Sequence, residues 1–173
     1  CLINLYDRTM AFKYQKKYTL LETSDFAGFK EQETIFEESL RTNRTYNYLD
    51  WRYVQKPKPH NTNRIHLLEK AQEKVCWIVS KERDEEVIIL DIIPTKQEKI
   101  APALALFSLA MRREGKQLIH ISCYGPMEKY IRRTGFISRG HGQPINVYEI
   151  DKHSTPFHHK DRWHLMTGDI DAA

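Results

Sequence analysis

The 173-residue chain contains few cysteines, no low-complexity tract and no long hydrophobic run. Its three cysteines, Cys1, Cys76 and Cys123, are widely spaced and odd in number, which argues against a disulfide framework and a zinc motif. Cys76 and Cys123 lie within apolar runs, so we expect core thiols in a reducing, cytoplasmic compartment. No apolar run reaches the roughly 18 residues of a transmembrane helix, so we expect no membrane span and no secretory leader.

The charge of the chain is mildly basic, with a formal net charge of +4. Basic residues are interspersed with acidic ones instead of forming a run, and no aromatic-basic motif accompanies them. We therefore do not expect nucleic acid as a partner, whereas a pocket for an anionic cofactor is compatible with this charge.

Hydrophobic patterns predict a mixed α/β domain. The run DEEVIILDIIP reads as a central strand covered on both faces, and the helix and strand after it form a βαβ unit, so the sheet is mixed. The predicted elements, in chain order, are a strand at 18–21, a helix over 26–40, a short helix over 48–54, a hairpin of RIHLLEKA and KVCWIVSKE, the central strand, a helix in KIAPALALFSLAMRREG, a strand in KQLIHISCYG, a short helix in PMEKYIRRTGF and a strand in INVYEID.

The segment NYLDWRYVQKPKP, residues 47–59, gathers aromatic side chains around one arginine. Its two prolines prevent the short helix from continuing. We expect Trp51 and Tyr53 to pack this connector against the sheet, and Arg52 to be held among them by stacking or by a carboxylate. A ligand role for Arg52 is the alternative.

The element order and two short motifs resemble the GNAT superfamily, the acyl-CoA-dependent N-acyltransferases. YLDWRYVQKP precedes the hairpin and RWHLMTGDID closes the chain, as in one branch whose members often contain two GNAT-like halves. The resemblance covers roughly residues 20–150 and implies a single domain with a mixed, twisted central sheet flanked by helices. The chain resembles a C-terminal half, and because it begins with Cys1 we expect a processed product or a fragment.

This resemblance divides the chain into three parts. Residues 1–17 are expected to be an N-terminal extension or the remnant of a preceding domain, and 18–150 the GNAT-like domain. Residues 151–173 are expected to be a tail that packs on that domain. Histidines in this tail match no metal-binding spacing, so we expect no metal site.

The resemblance implies a site for acetyl-CoA as cosubstrate at the start of the helix in KIAPALALFSLAMRREG. A helix start attracts a pyrophosphate through its bare N–H groups and its dipole. Lys99 stands where the family has glycine, and a solvated loop that caps a helix fits the same residues. The implied cofactor-binding residues are Ile92 and Ile93, through their main chains, and Lys96, Gln97, Lys99, Ile100 and Ala101.

The resemblance also implies an acid and a base for acyl transfer to an amine. The family's tyrosine, four residues before the glycine of the GF pair, is Ile131 here, so Tyr124 at a strand end is the substitute candidate. Asp91 and Glu86 lie on the central strand as candidate bases. His120 on the neighbouring strand is either a partner of Asp91 or a hydrogen-bonded core residue. The expected catalytic residues are Asp91 and Tyr124.

Two functions remain open. The chain is predicted to be an N-acyltransferase that moves an acetyl group from acetyl-CoA to an unknown amine on a small molecule or a peptide. The alternative is a catalytically degenerate GNAT-like module that serves in substrate binding, scaffolding or dimerisation, with a missing N-terminal half or a second copy as its partner.

Overall fold

The computed structural model describes residues 2–29, 44–55, 63–138 and 165–166. A π-helical turn over Asp50–Val54 extends the second helix, and a 3-10 turn over Gln97–Lys99 leads into the third. The helices are α1 (Leu2–Gln15), α2 (Tyr46–Leu49), α3 (Ile100–Arg113) and α4 (Glu128–Arg132). The strands are β1 (Thr19–Thr23), β2 (Asn63–Lys70), β3 (Glu73–Arg83), β4 (Glu86–Pro94), β5 (Leu118–Ile121), β6 (Cys123–Tyr124) and β7 (Leu165–Met166).

A five-stranded mixed sheet in the order β1-β2-β3-β4-β5 forms the centre of the fold, which confirms the predicted mixed α/β architecture. β1 to β4 are antiparallel neighbours, and β4 pairs with β5 in parallel through the crossover helix α3. The predicted β2–β3 hairpin is confirmed. Its turn residues Ala71 and Gln72 have positive φ angles of 48° and 68°, as a tight two-residue hairpin turn requires.

The sheet carries a hydrophobic core on each face. α3 packs on one face over residues that include Leu68, Ile78 and Ile89, and α1 packs against α3 with Ala11 in the same core. On the other face, Leu49 and Tyr53 pack over Trp77 and its neighbours. The buried Met166 of β7 belongs to the α3-side core, so the described residues near both chain ends contribute to it.

Helix α3 has the ends that its sequence predicts. Pro102 lies in the first turn, where a missing N–H costs no hydrogen bond, and Arg112 and Arg113 lie in the last turn, near the negative end of the helix dipole. Gly115 has a φ of +86°, which glycine adopts without a steric penalty, and its N–H donates to the Arg112 carbonyl. No helix within the described ranges is long and apolar enough to cross a membrane.

The predicted helix over 26–40 is wrong at its beginning. Residues 25–28 form a turn in which the Ala27 N–H donates to the Asp25 carboxylate at 2.8 Å, and Gly28 has a φ of +75°. A short aspartate side chain competes well for nearby backbone N–H groups, which favours a turn over a helix. The rest of that predicted helix, and the predicted strand INVYEID, lie outside the described residues.

Strand β4 contains a bulge at Leu90. Val79 of β3 pairs with Asp91 and Ser80 pairs with Ile89, so Leu90 is the extra residue. One extra residue reverses the in-and-out alternation of side chains along a strand. Ile89 therefore points toward α3, whereas Asp91 points to the opposite face.

Candidate functional site

Asp91 is buried in a polar cluster within the second core. Its side chain is 0% exposed, and Arg44, whose side chain is 6% exposed, donates to both carboxylate oxygens through Nε at 2.9 and 3.2 Å. The Tyr53 hydroxyl donates to Oδ2 at 3.2 Å, and the backbone N–H of Ile92 donates to Oδ1 at 2.9 Å. Charge-assisted and multiple hydrogen bonds of this kind make the burial of two opposite charges tolerable.

The connector that contains α2 positions Tyr53 for this contact. Thr45 caps α2 by accepting a hydrogen bond from the Tyr48 N–H at 3.1 Å, and the Gln55 N–H donates to the Asp50 carbonyl, five residues back, at 2.9 Å. This wider turn carries the Tyr53 ring into the core, where the side chain is 4% exposed. π-helical turns of this kind occur frequently at functional sites.

The expectation for this connector is confirmed for Tyr53 and wrong for Trp51. The Trp51 side chain is 52% exposed and its ring lies 6.2 Å from that of Tyr48, so it covers the connector's outer surface. Tyr53 donates to the Asp91 carboxylate, and the arginine that binds the same carboxylate is Arg44. Sequence reasoning missed Arg44 because it precedes the motif and carries no local signal of burial.

The pairing of β4 with β5 ends halfway along β4. The last pair is Ile89 with Ile121, while β4 continues through the bulge to Pro94 and then into the turn before α3. Beyond Ile121 the chain forms β6, which pairs with β7 in a separate two-stranded ladder. We call the region between Leu90–Pro94 and β6 the strand fork.

Ile92 and Ile93 line opposite faces of the sheet at the strand fork. Both side chains are buried, Ile92 in the α3-side core and Ile93 in the core beside Trp77. The Ile92 N–H, which was expected to bind the cofactor arm, donates to the Asp91 carboxylate. A ligand that takes this N–H therefore has to compete with Asp91.

The start of α3 is preceded by Lys96, whose backbone is extended, and by the 3-10 turn. The Glu98 carboxylate accepts a hydrogen bond from its own backbone N–H, which is the main cause of its lowered pKa; Lys99 and Lys96 lower the pKa further. Ile100 is buried and Ala101 half-buried. The Glu98 carboxylate therefore adds negative charge next to the start of α3, where the helix dipole favours an anion.

Lys99, at the expected glycine position, folds back onto the protein. Its ammonium lies 3.5 Å from the Glu98 carboxylate and 6.0 Å from the centre of the Tyr18 ring. Its neighbour Gln97 accepts a hydrogen bond from the Tyr130 hydroxyl of α4. The Lys129 ammonium lies 4.9 Å from the centre of the Tyr130 ring, within the range of a cation–π contact. The Tyr130 hydroxyl therefore reaches the 3-10 turn before α3.

The remaining positions considered for catalysis are His120, Ile131 and Tyr124. His120 pairs with Glu86 at 3.5 Å near the surface and does not contact Asp91, because its register partner on β4 is Ile88. Ile131, which replaces the family's tyrosine, is buried in the α3-side core. Tyr124 lies on β6 at the strand fork, and its side chain is outside the described part.

Cys76 belongs to the α3-side core and Cys123 packs against it, as expected for core thiols. Cys76 is buried and its pKa is raised, first by burial and then by the Asp91 charge, while Cys123 is half-buried. Neither is in a disulfide. Among the described residues, no group of His, Cys, Asp and Glu side chains is arranged to hold a metal ion. The histidines of 158–164 lie outside those residues.

A second charged cluster lies at the opposite end of the sheet from the α3 start. Arg64 donates to Glu22, Glu82 and Glu114, and Lys116 pairs with Glu82. Hydrogen bonding to Glu114 and Glu22 raises the pKa of Arg64, and hydrogen bonding to Arg64 lowers the pKa of Glu22. Sequence reasoning did not find this cluster, because its members come from β1, β2, β3 and the end of α3.

An open cleft of about 410 Å³ adjoins this cluster. Glu22 and Arg64 line one side, and Tyr53 and Val54 of the α2 connector line another. Because the Tyr53 hydroxyl also contacts Asp91, the cleft adjoins the buried polar cluster beside the bulge.

Comparison with protein-family models, with curated proteins and with solved structures finds no match to this chain.

Proposed function

We propose that this chain is an acyl-CoA-dependent N-acyltransferase of the GNAT type, in which the strand fork receives the thioester arm. The observation that carries the proposal is the end of β4–β5 pairing at Ile89 and Ile121, directly before the bulge at Leu90. An extended ligand pairs with a strand edge through main-chain hydrogen bonds, which require no particular side chains. β4 then leads into α3, whose N-terminus favours an anion.

The reaction at such a site is an aminolysis. The nitrogen of a neutral amine forms a bond to the thioester carbonyl carbon, the carbon–sulfur bond breaks, and the thiolate leaves with the electron pair. The amine nitrogen then loses a proton and the thiolate gains one, so the products are an amide and free coenzyme A. An ammonium acceptor must first lose one further proton to a base.

Asp91 was expected to be this base, and its surroundings favour a positioning role instead. Its carboxylate is enclosed and ion-paired with Arg44, so a proton acquired there would disrupt a buried ion pair. Asp91 holds the Tyr53 hydroxyl at the edge of the cleft and the Ile92 N–H at the strand fork. It thereby connects the cleft with the strand fork.

The residues at the α3 start fit an anion only after rearrangement. Lys96 is exposed and supplies positive charge, whereas Glu98 adds a carboxylate that binds its own backbone N–H. Lys99 is directed toward Tyr18 and Glu98. A pyrophosphate would have to displace Glu98, and Lys99 could then pair with the incoming phosphate.

A specific set of contacts favours the second candidate, a GNAT-like module without catalysis. The Ile92 N–H is already bound by Asp91, the Glu98 carboxylate adds negative charge beside the α3 start, and Ile131 stands where the family has its tyrosine. In this candidate the chain binds a second GNAT-like half or another copy of itself, and acyl-CoA does not bind.

Calorimetric titration of the full chain with acetyl-CoA distinguishes the two candidates. We expect saturable binding that weakens in the variant with Lys96→Ala and Lys99→Ala. We expect binding to tighten about two- to fivefold in Glu98→Gln, because this variant removes a negative charge from the helix start. Glu85→Gln, at an exposed position between β3 and β4 at the opposite end of the sheet, is the matched control and should leave the affinity unchanged.

Absence of heat at millimolar acetyl-CoA, from protein that still melts cooperatively, would exclude the acyltransferase and leave the degenerate module. An acetyl-CoA affinity that is unchanged in the lysine double variant and in Glu98→Gln would place the cofactor away from the α3 start. If acetyl-CoA binds, release of free thiol in the presence of a panel of primary amines tests the chemistry itself.

A further inference from the structure

The end of α1, the 3-10 turn before α3 and helix α4 meet at one end of the sheet. Tyr18 directly follows α1, and the Lys99 ammonium of the 3-10 turn lies 6.0 Å from the centre of its ring. The Tyr130 hydroxyl of α4 donates to Gln97 of the same turn. These contacts join three segments that are distant in the sequence into one surface. We call this surface the basic end; it comprises residues 12–18, 96–99 and 128–137.

Positive charge is concentrated at the basic end. It contains eight lysines and arginines and two carboxylates, an excess of six, whereas the whole chain has a net charge of +4. The neighbouring β2–β3 turn does not offset this excess, because its two lysines and two glutamates cancel. Glu98 pairs with Lys99, and Glu128 pairs with Arg132. The other six cations are exposed and form no ion pair with a described carboxylate: Lys13, Lys16, Lys17, Lys96, Lys129 and Arg133.

Exposed apolar side chains accompany these cations. Phe12 is 65% exposed and Ile137 is 83% exposed, the two highest values among the large hydrophobic residues of the described ranges. Ala11 of α1 is buried in the core, whereas Phe12 and Lys16, four residues apart, share an outward side of α1. The Lys16 ammonium lies 5.6 Å from the centre of the Phe12 ring. The basic end therefore combines positive charge with apolar side chains that the fold does not bury.

We propose that the basic end docks on the surface of an anionic lipid bilayer. Lysine and arginine side chains are attracted to anionic headgroups, and an exposed aromatic ring enters the boundary between headgroups and acyl chains. Docking of this kind requires no helix that spans the membrane. The inference does not rest on the proposed acyltransferase activity, because the charge and the exposure of this surface carry it and the strand fork does not.

The rings of the basic end favour lipid over single-stranded nucleic acid, another polyanion that binds basic surfaces. Nucleic-acid bases stack on open aromatic faces. At the basic end a cation lies over each of four rings: Lys16 over Phe12, Lys13 over Tyr14, Lys99 over Tyr18 and Lys129 over Tyr130. Docking on a bilayer needs no open ring face, because a lysine beside an inserted ring extends its ammonium to the headgroups.

The test is sedimentation of the full chain with vesicles of phosphatidylcholine that contain phosphatidylserine, and with vesicles of phosphatidylcholine alone. We expect binding to the first kind only, and weaker binding when the salt concentration is raised. Lys13→Gln, Lys16→Gln and Lys17→Gln together should lower the partition coefficient about a hundredfold, since each basic residue near an anionic bilayer accounts for roughly a fivefold change. Phe12→Ser should lower it about tenfold, because it removes the apolar ring that enters the boundary region.

The matched control carries Lys81→Gln, Arg83→Gln and Arg113→Gln together. These three cations lie at the opposite end of the sheet, and the control removes the same amount of charge as the α1 variant. Charges more than about 10 Å from the bilayer surface are largely screened at physiological salt, so the control should bind the anionic vesicles nearly as the wild type does.

Equal binding to both kinds of vesicle, or binding to neither, would overturn the proposal. Losses of equal size in the α1 variant and in the control, at melting temperatures equal to that of the wild type, would also overturn it, because net charge alone would explain them. Binding of a labelled single-stranded oligonucleotide without vesicle binding would assign the basic end to nucleic acid instead. The α1 variant leaves Lys96 and Lys99 in place, so the acetyl-CoA titration fails or succeeds independently of this test.

Discussion

The buried ion pair between Arg44 and Asp91 offers the most direct test of the structure. We choose Arg44→Met and Asp91→Leu, which remove one charge each, together with the double variant. Removing one partner of a buried pair leaves the other charge uncompensated, at a cost of about 3–5 kcal/mol. Asp91→Leu also leaves the Tyr53 hydroxyl and the Ile92 N–H without their acceptor, which adds about 1–3 kcal/mol.

The double variant should recover much of the loss from the single variants. Replacing a buried pair by apolar residues of similar volume is often neutral, so the unpaired donors should remain the main cost. The expected coupling free energy between the two positions is about 2–3 kcal/mol. Because a domain of this size has roughly 5–15 kcal/mol of stability, Asp91→Leu is expected to lie close to the limit of folding.

Urea unfolding followed by tryptophan fluorescence provides the measurement, with Trp77 buried in the same core as Tyr53. Tyr53→Phe is the matched control within the cluster: it removes one hydrogen bond to a charged group and should cost about 1.5–3 kcal/mol without unfolding the protein. Single variants that each cost less than about 1 kcal/mol, with additive effects in the double variant, would refute the buried pair.

Three further predictions concern other parts of the fold. His66 has a pKa below its usual value, first because it is buried and then because of the Arg64 charge. The unfolded state therefore binds this proton more readily, and the free energy of unfolding should fall as the pH drops below about 6.5. His66→Leu should flatten this decrease in thermal melts between pH 7 and pH 5. Tyr130→Phe should cost about 0.5–1.5 kcal/mol in urea unfolding through loss of the bond to Gln97, and an unchanged midpoint would contradict that contact. Gly115→Ala should cost about 1 kcal/mol, from its φ of +86° alone because a Cβ there meets no atom within 4 Å, and a stabilised variant would contradict the left-handed cap.

The main elements could be predicted from the chain because their signals are local. The β2–β3 hairpin, the continuous apolar run of β4 and the capped helix α3 each carry their signal within one segment, and all three are confirmed. The parallel crossover followed from the order of these elements. The helix predicted from Phe26 failed at its beginning because the Asp25 side chain stabilises a turn there.

The candidate site was less predictable because its contacts join distant segments. Asp91 could be singled out as a charge within an apolar strand, but Arg44 and Tyr53 carry no local sign that they meet it. His120 was expected beside Asp91, and the register of β5 places it beside Glu86 instead. The Glu22–Arg64 pair joins two strands across β1 and β2, where neither residue stands out in its own segment.

The sequence by itself determined the mixed α/β class, the hairpin, the crossover and the position of a charge in the central strand, since periodicity and chain order suffice for these. Only the tertiary structure decided which way that charge points. The extra residue at Leu90 reverses the alternation of β4, so Ile89 faces α3 while Asp91 faces Arg44 and Tyr53. A bulge arises from pairing with the neighbouring strand, and strand pairing is a property of the folded sheet.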